Sequence, residues 1–252
     1  GMTPRHTVAS DERLLDIVAA LKRRKVAGVT ELADALEVPK SSVHAHLATL
    51  RERGYVAQDQ GDRYRLGLQF LDAGMVARSN RRIYAEVRPK LEALAAETEE
   101  KVWCAVEENG VAVFIANAVG DRAIHTNARV GQHVPLYRLA AGKAILANLP
   151  ADRRASILDG YEFPLDGDGA TRGDLEDELA AIRERGVAFG TEQFIQGVTG
   201  VAAPVTDNSG RVHGAISISG PANRLGGERL ESDYADLVRG TAGELQINLS
   251  YQ

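Results

Sequence analysis

Cysteine is nearly absent from this chain of 252 residues: Cys104 stands alone, which excludes an internal disulfide and a cysteine-rich zinc site. Long apolar runs are missing as well. No stretch approaches the roughly 20 apolar residues of a membrane-spanning helix. The opening segment GMTPRHTVAS has no apolar core, so no secretory signal is expected, no membrane contact, and a cytoplasmic location. Internal repeats and low-complexity tracts are lacking too.

What is present has the proportions of an ordinary globular protein, 44 % hydrophobic and 26 % charged, at a length that suits two modest domains. The net charge of −5 conceals an asymmetry. Residues 1–82 hold 14 Lys and Arg against 10 Asp and Glu; the remainder holds 16 against 25. A basic N-terminal part on an acidic remainder fits a nucleic-acid-binding domain joined to one of another kind.

Helical spacing of Leu14, Leu15, Val18 and Leu21 in DERLLDIVAALKRR predicts a first helix over residues 11–24. In TELADALEV, Thr30 is the expected cap and Leu32, Ala33 and Leu36 the buried stripe. Pro39 suits the first turn of a third helix with Val43, Leu47 and Leu50 on its core face and Gly54 as its stop. YVAQ and RYRLG then flank a Gly61 turn, a hairpin signal. Residues 68–77 continue as a helix faced by Leu68, Leu71 and Met75. Ile83, Val87, Leu91, Leu94 and Ala95 mark another, kinked or restarted at Pro89.

Beyond residue 102 the pattern changes to strands: VWCAVEE and VAVFIANAV around Asn109-Gly110, RAIHTNARV, VAAPVTD and RVHGAISIS. Helices are expected near 139–149, 173–185 and 228–247. Strands and helices segregate rather than alternate, which predicts an α+β domain with a mainly antiparallel sheet flanked by helices.

Three helices and a hairpin in the first 67 residues have the order of a winged helix-turn-helix, whose third helix enters the major groove of duplex DNA. Lys40, Ser41, Ser42, His44 and Thr49 on that helix, with Arg63 and Arg65 on the wing, are the candidate DNA contacts. His44 falls on the outward face, whereas His46 borders the core. Side chains two apart do not share a helix face, so the pair is not a metal site, and neither metal nor cofactor is expected.

The stretches ELADALEVPKSSVHAHLATLRERGYV with RYRLG, VGQHVPLYRLAAGKAILANLP, LAAIRERGVAFGTEQ and GVAAPVTDNSGRVHGAISISGP, in that order, resemble the IclR family of transcriptional regulators nearly end to end. The resemblance implies a winged helix over 1–67, a linker and dimerisation helix over 68–82, and a GAF- and PAS-like effector-binding and oligomerisation domain over 83–252. It implies a double-stranded operator and a small organic acid as ligands, and a homodimer or homotetramer. Family members that bind small oxo-acids use the amides at the positions of Ala140 and Ala141 and the hydroxyls at those of Ser217 and Ser219. Their Asp and Cys positions align with Gly190 and Gly200, a departure that predicts a roomier, less polar cavity and an acid larger than glyoxylate or pyruvate, such as an aromatic or sugar acid.

The residues themselves support part of this. The amides around Ala140, Ala141 and Gly142 open a helix unshielded by large side chains and suit an anion. Ser217 and Ser219, two apart on a strand, share a face. Three alternatives stay open: a ligand-independent regulator with a degenerate pocket, a sensor acting through a protein partner, and an enzyme using Cys104 with His125 or His133. Against the last, Cys104 alternates in phase with Val102 and Val106 as a core thiol does.

Overall fold

The computed structural model describes residues 7–191 and 194–250, and the chain divides into two compact units, Gly1–Ala77 and Arg78–Gln252. In the first, α1 (Ala9–Arg24) carries Asp11 and Glu12 in its first turn and Lys22, Arg23 and Arg24 in its last, charges that complement the helix dipole. Ile17, Ala20 and Leu21 are buried. Leu15, expected in the stripe, is 62 % exposed, because one residue on from Leu14 turns it about 100° off the buried face.

A two-residue strand β1 (Ala27–Gly28) leads into α2 (Val29–Leu36). Its cap is not Thr30. The helix begins one residue earlier, and the Glu31 carboxylate accepts the Gly28 N–H at 2.7 Å, satisfying that end of the helix from inside. The third helix, α3 (Lys40–Glu52), starts directly after Pro39, buries Val43, Leu47 and Leu50, and is followed by Gly54 at φ +77°. Strands β2 (Val56–Asp59) and β3 (Arg63–Leu66) pair across Gly61 and Asp62, both at positive φ, and β3 lies between β1 and β2. Helix α4 (Gln69–Ser79) has no buried residue: Leu68 just before it is 77 % exposed and Leu71 61 %.

The second unit opens with α5 (Arg82–Thr98), which runs without interruption through Pro89, so the expected restart does not occur. Pro89 is exposed, and its ring faces away from the core stripe of Ile83, Val87, Leu91, Leu94 and Ala95. Then come β4 (Lys101–Glu108), β5 (Val111–Val119), β6 (His133–Pro135), a 3-10 turn (Leu136–Arg138), α6 (Ala140–Asn148), α7 (Ala151–Leu158) and α8 (Arg172–Arg185). Last come β7 (Ala188–Thr191), β8 (Val198–Thr206), β9 (Val212–Pro221), a single helical turn α9 (Gly227–Arg229), a π-helical turn (Leu230–Tyr234) and α10 (Ala235–Ser250).

The strands form one antiparallel sheet in the order β6-β5-β4-β9-β8-β7, as an α+β architecture requires. The expected strand over 122–130 is not there. Pairing to β5 resumes only at Gly131, whose N–H reaches the Phe114 carbonyl at 2.7 Å, and β6 begins at His133. The alternation of β4 sorts two cores: Val102, Cys104 and Val106 pack with α5 and α10, while Trp103 and Ala105 pack on the other face with α6 and α8. Cys104 is fully buried, and burial pushes its thiol up to about 12, which suits a core residue and not a nucleophile.

Candidate DNA-binding surface and effector cavity

The exposed face of α3 begins at its N-terminus with Lys40 and Ser41, and Lys40 has no ion-pair partner among the described residues. Ser42 is half-buried, and its Oγ accepts from Arg13 Nη1 of α1 at 3.5 Å. His44 is exposed and His46 half-buried, the division their helical phase predicts. Thr49 is exposed, yet its hydroxyl donates to the Ala45 carbonyl at 3.1 Å, leaving only the oxygen's acceptor capacity outward.

On the wing, Arg63 and Arg65 project from one face of β3 on either side of buried Tyr64. Each already has a carboxylate. Arg63 Nη2 lies 3.2 Å from Glu31, and Arg65 Nε 3.1 Å from Asp59. The Gly28 N–H, assisted by Arg63, holds the Glu31 carboxyl below the usual carboxylate range. All four side chains are nearly half exposed, so water screens both pairs and neither is held strongly. Two further exposed arginines, Arg13 and Arg51, flank this surface. Arg51 donates to Gln58 of the wing, which in turn donates to Asp62 at 2.7 Å, so this cation is oriented by the hairpin.

In the second unit the implied ligand residues converge. Ala140, Ala141, Gly190, Gly200, Ser217 and Ser219 all line one cavity of about 80 Å3 on the α6 face of the sheet. Cross-strand register explains the convergence. Gly190, Gly200, Ser219 and Lys101 stand directly opposite one another across β7, β8, β9 and β4, a single row whose side chains share a face. Ala202, Ser217 and Trp103 form the neighbouring row.

Helix α6 ends on this floor. Its first intrahelical bond runs from the Lys143 N–H to the Leu139 carbonyl at 2.9 Å, so the Ala140 and Ala141 amides precede the ladder and are not consumed by it. Gly142, expected to share in the opening, does not line the cavity. A Cβ there would lie 2.1 Å from the Leu136 carbonyl oxygen, so this glycine serves the close packing of α6 on the 3-10 turn. Behind it, Lys143 is 2 % exposed and neutralised by Glu178.

Aromatic rings and one arginine complete the lining. Trp103 and Phe114 stack with centroids 4.5 Å apart, Phe194 lies 6.3 Å from Phe114, and Arg138 reaches the cavity from the turn before α6. None of the described lining residues is acidic. Ser219 donates to the Lys101 carbonyl at 3.4 Å, while Ser217 is 7 % exposed. The lining is mostly apolar. The volume, however, is about half the roughly 150 Å3 that holds a benzene ring, so ring-bearing acids need a local opening that slim ones do not.

No His, Cys, Asp and Glu cluster among the described residues could hold a metal, and no described helix is long and apolar enough to cross a membrane. His125 and His133 are exposed, far in burial from Cys104.

Residues 75–247 match the family described as Bacterial transcriptional regulator IclR C-terminal, and residues 11–60 match the IclR helix-turn-helix domain. The DNA-binding transcriptional repressor YiaJ of Escherichia coli is 34 % identical over 203 residues, covering 78 % of this chain and 72 % of that protein. The HTH-type transcriptional regulator KdgR of Escherichia coli is 28 % identical over 248 residues, covering 97 % and 94 %. Among solved structures, the Thermotoga maritima IclR superposes with a TM-score of 0.76 at 28 % identity, over 96 % of this chain and 97 % of that one. Pseudomonas aeruginosa HmgR does so at 0.74 and 26 %, over 97 % and 100 %. Matches that follow both units in order and span most of the chain place it in the IclR family: it is a DNA-binding transcriptional regulator with a C-terminal ligand-binding domain, and not an enzyme.

Proposed function

We propose that this regulator binds operator DNA as a dimer or tetramer and that a small organic acid in the 83–252 domain sets its occupancy. Lys40, Ser41, Ser42 and His44 meet the major groove, with Thr49 as an acceptor at its edge, and Arg63 and Arg65 hold phosphates. Residues 68–82 act as linker and dimerisation helix. The apolar faces of Leu68 and Leu71, 77 % and 61 % exposed, support that role, since a partner chain would remove them from water.

The observation that carries the effector reading is the cavity in which the N-terminal amides of α6, the hydroxyls of Ser217 and Ser219 and the Arg138 guanidinium meet. Such a site favours a carboxylate over a neutral or cationic ligand. The effector shifts DNA binding only through unequal affinity for the two states, a coupling of about 1 to 3 kcal/mol.

A gel shift on the region upstream of the protein's own gene, with and without organic acids, tests the whole reading. Retarded DNA whose affinity responds to an acid supports it. The glycines at 190 and 200, which stand where oxo-acid binders carry Asp and Cys, favour the degenerate pocket as second reading; DNA binding that no acid alters would establish that one. Absence of DNA binding would leave the protein-partner reading.

A further inference from the structure

The wing is joined to α3 by more than the backbone. Arg51, in the last turn of α3, donates from Nη1 to the side-chain carbonyl of Gln58 on β2, and Gln58 Nε2 donates in turn to Asp62 Oδ1 at 2.7 Å in the wing turn. The three side chains form one chain from the helix, across the first wing strand, to the turn. An amide suits the middle position, because it accepts from a guanidinium and donates to a carboxylate at once.

The turn is the part of the wing that backbone pairing holds least. β2 and β3 pair from Val56 with Leu66 to Asp59 with Arg63, and Gly61 and Asp62 lie beyond the last pair at positive φ. Helical phase puts Arg51 where it can reach this turn. Seven residues separate it from His44, which leaves the two within about 20° around the helix. Both line the cleft between α3 and the wing, together with Gln58, Asp62 and Arg63.

We propose that Arg51, acting through Gln58 and Asp62, is a positioning residue for DNA binding: it holds the wing turn against α3, so that the wing arginines meet phosphates while α3 lies in the major groove. This rests on the DNA-contact reading above and adds the device that fixes the distance between its two parts. Docking a helix and a hairpin on one duplex orders both, and a wing already held against α3 leaves less to be ordered on binding. Arg51 and Asp62 are exposed and Gln58 half-buried, so the chain adds little to the stability of the unit and its effect falls on binding.

The test is fluorescence anisotropy of the full chain at several salt concentrations on two duplexes, one from the region upstream of its own gene and one of scrambled sequence. Gln58→Ala, which changes no charge, is the decisive variant. It should weaken binding to both duplexes about fivefold and leave the slope of log affinity against log salt unchanged. Arg51→Ala should weaken binding as well, and the double variant should lose no more than Arg51→Ala alone, as members of one chain do. Thermal melts of both single variants should match wild type. Unchanged affinity in Gln58→Ala, an additive double variant, or an affinity loss matched by a lower melting midpoint overturns the assignment. So does a slope that falls by about 0.9 per bound chain in Arg51→Ala while Gln58→Ala has no effect, since Arg51 would then touch a phosphate itself. Arg65→Ala, measured alongside, separates the two readings: if it alters neither affinity nor slope, the wing is not on the DNA and the contact reading fails as well.

Discussion

Gly190 and Ala140 approach so closely that a Cβ at position 190 would stand 3.2 Å from the Ala140 nitrogen and 3.4 Å from its Cβ. The backbone of Gly190 is not in the left-handed region, so another residue is sterically possible there; what it would cost is access to the amide. Gly190→Val should therefore leave the DNA affinity of the ligand-free protein in place while weakening acid binding about tenfold or more, by capping the Ala140 N–H and filling part of an 80 Å3 cavity. Titration calorimetry beside a gel shift separates the two effects.

The wing carries its own competitor for phosphate. Asp59 occupies Arg65 at 3.1 Å on adjacent strands, so a phosphate must displace it. Asp59→Asn should tighten binding to all DNA sequences by a similar factor, and Arg65→Ala should weaken it and reduce the slope of log affinity against log salt by about 0.9. Lys40→Ala, at a position with no ion-pair partner among the described residues, should show the same slope change. Fluorescence anisotropy at several salt concentrations reads all three, and a sequence-dependent effect of Arg65→Ala would count against a phosphate role.

Arg224 and Glu100 form the most buried bidentate pair described. Glu100 is 1 % exposed, Arg224 Nη2 donates to it at 2.9 Å, and the same nitrogen reaches the Arg122 carbonyl at 2.7 Å. The pair ties the end of β9 to the start of β4 and to the segment that carries Thr126. Arg224→Met strands a buried carboxylate, so a loss of about 3 kcal/mol is expected in chemical denaturation. Replacing both residues by apolar ones should recover most of it.

The first unit was legible because its signals are local: Pro39 before α3, Gly54 after it, Gly61 in the wing turn, and a three-and-four spacing of Val43, Leu47 and Leu50. Cap chemistry was less so, since Glu31 does from inside α2 what Thr30 was expected to do from its edge. In the second unit the sheet was legible by alternation, but β7 is four residues long and α7 eight, too short to give a period. Residues 122–130 alternate without pairing, because β5 accepts a neighbour only from Gly131 onward. Lys101 was not legible at all. A lysine opening a strand reads as a solvated end, and only the register Gly190, Gly200, Ser219, Lys101 shows that it stands in the same cross-strand row as three residues of the cavity.

Asp207 gives the fold a pH signature. Its carboxylate accepts from the Ser209 hydroxyl, from His213 Nε2 at 2.8 Å, and from the backbone N–H groups of Arg211 and Ser209, and these bonds hold it well below the usual carboxylate range. A depressed folded value means that the unfolded chain binds the proton first. The contribution is therefore complete above the ordinary value of 3.8 and is lost as pH falls through the folded one. Wild type should accordingly exceed Asp207→Asn in stability above about pH 4, and the margin should narrow steadily as pH drops below that. Denaturant melts of both proteins across that range measure it. A margin that widens in acid would mean that the β8–β9 turn is held by something other than the ionised Asp207.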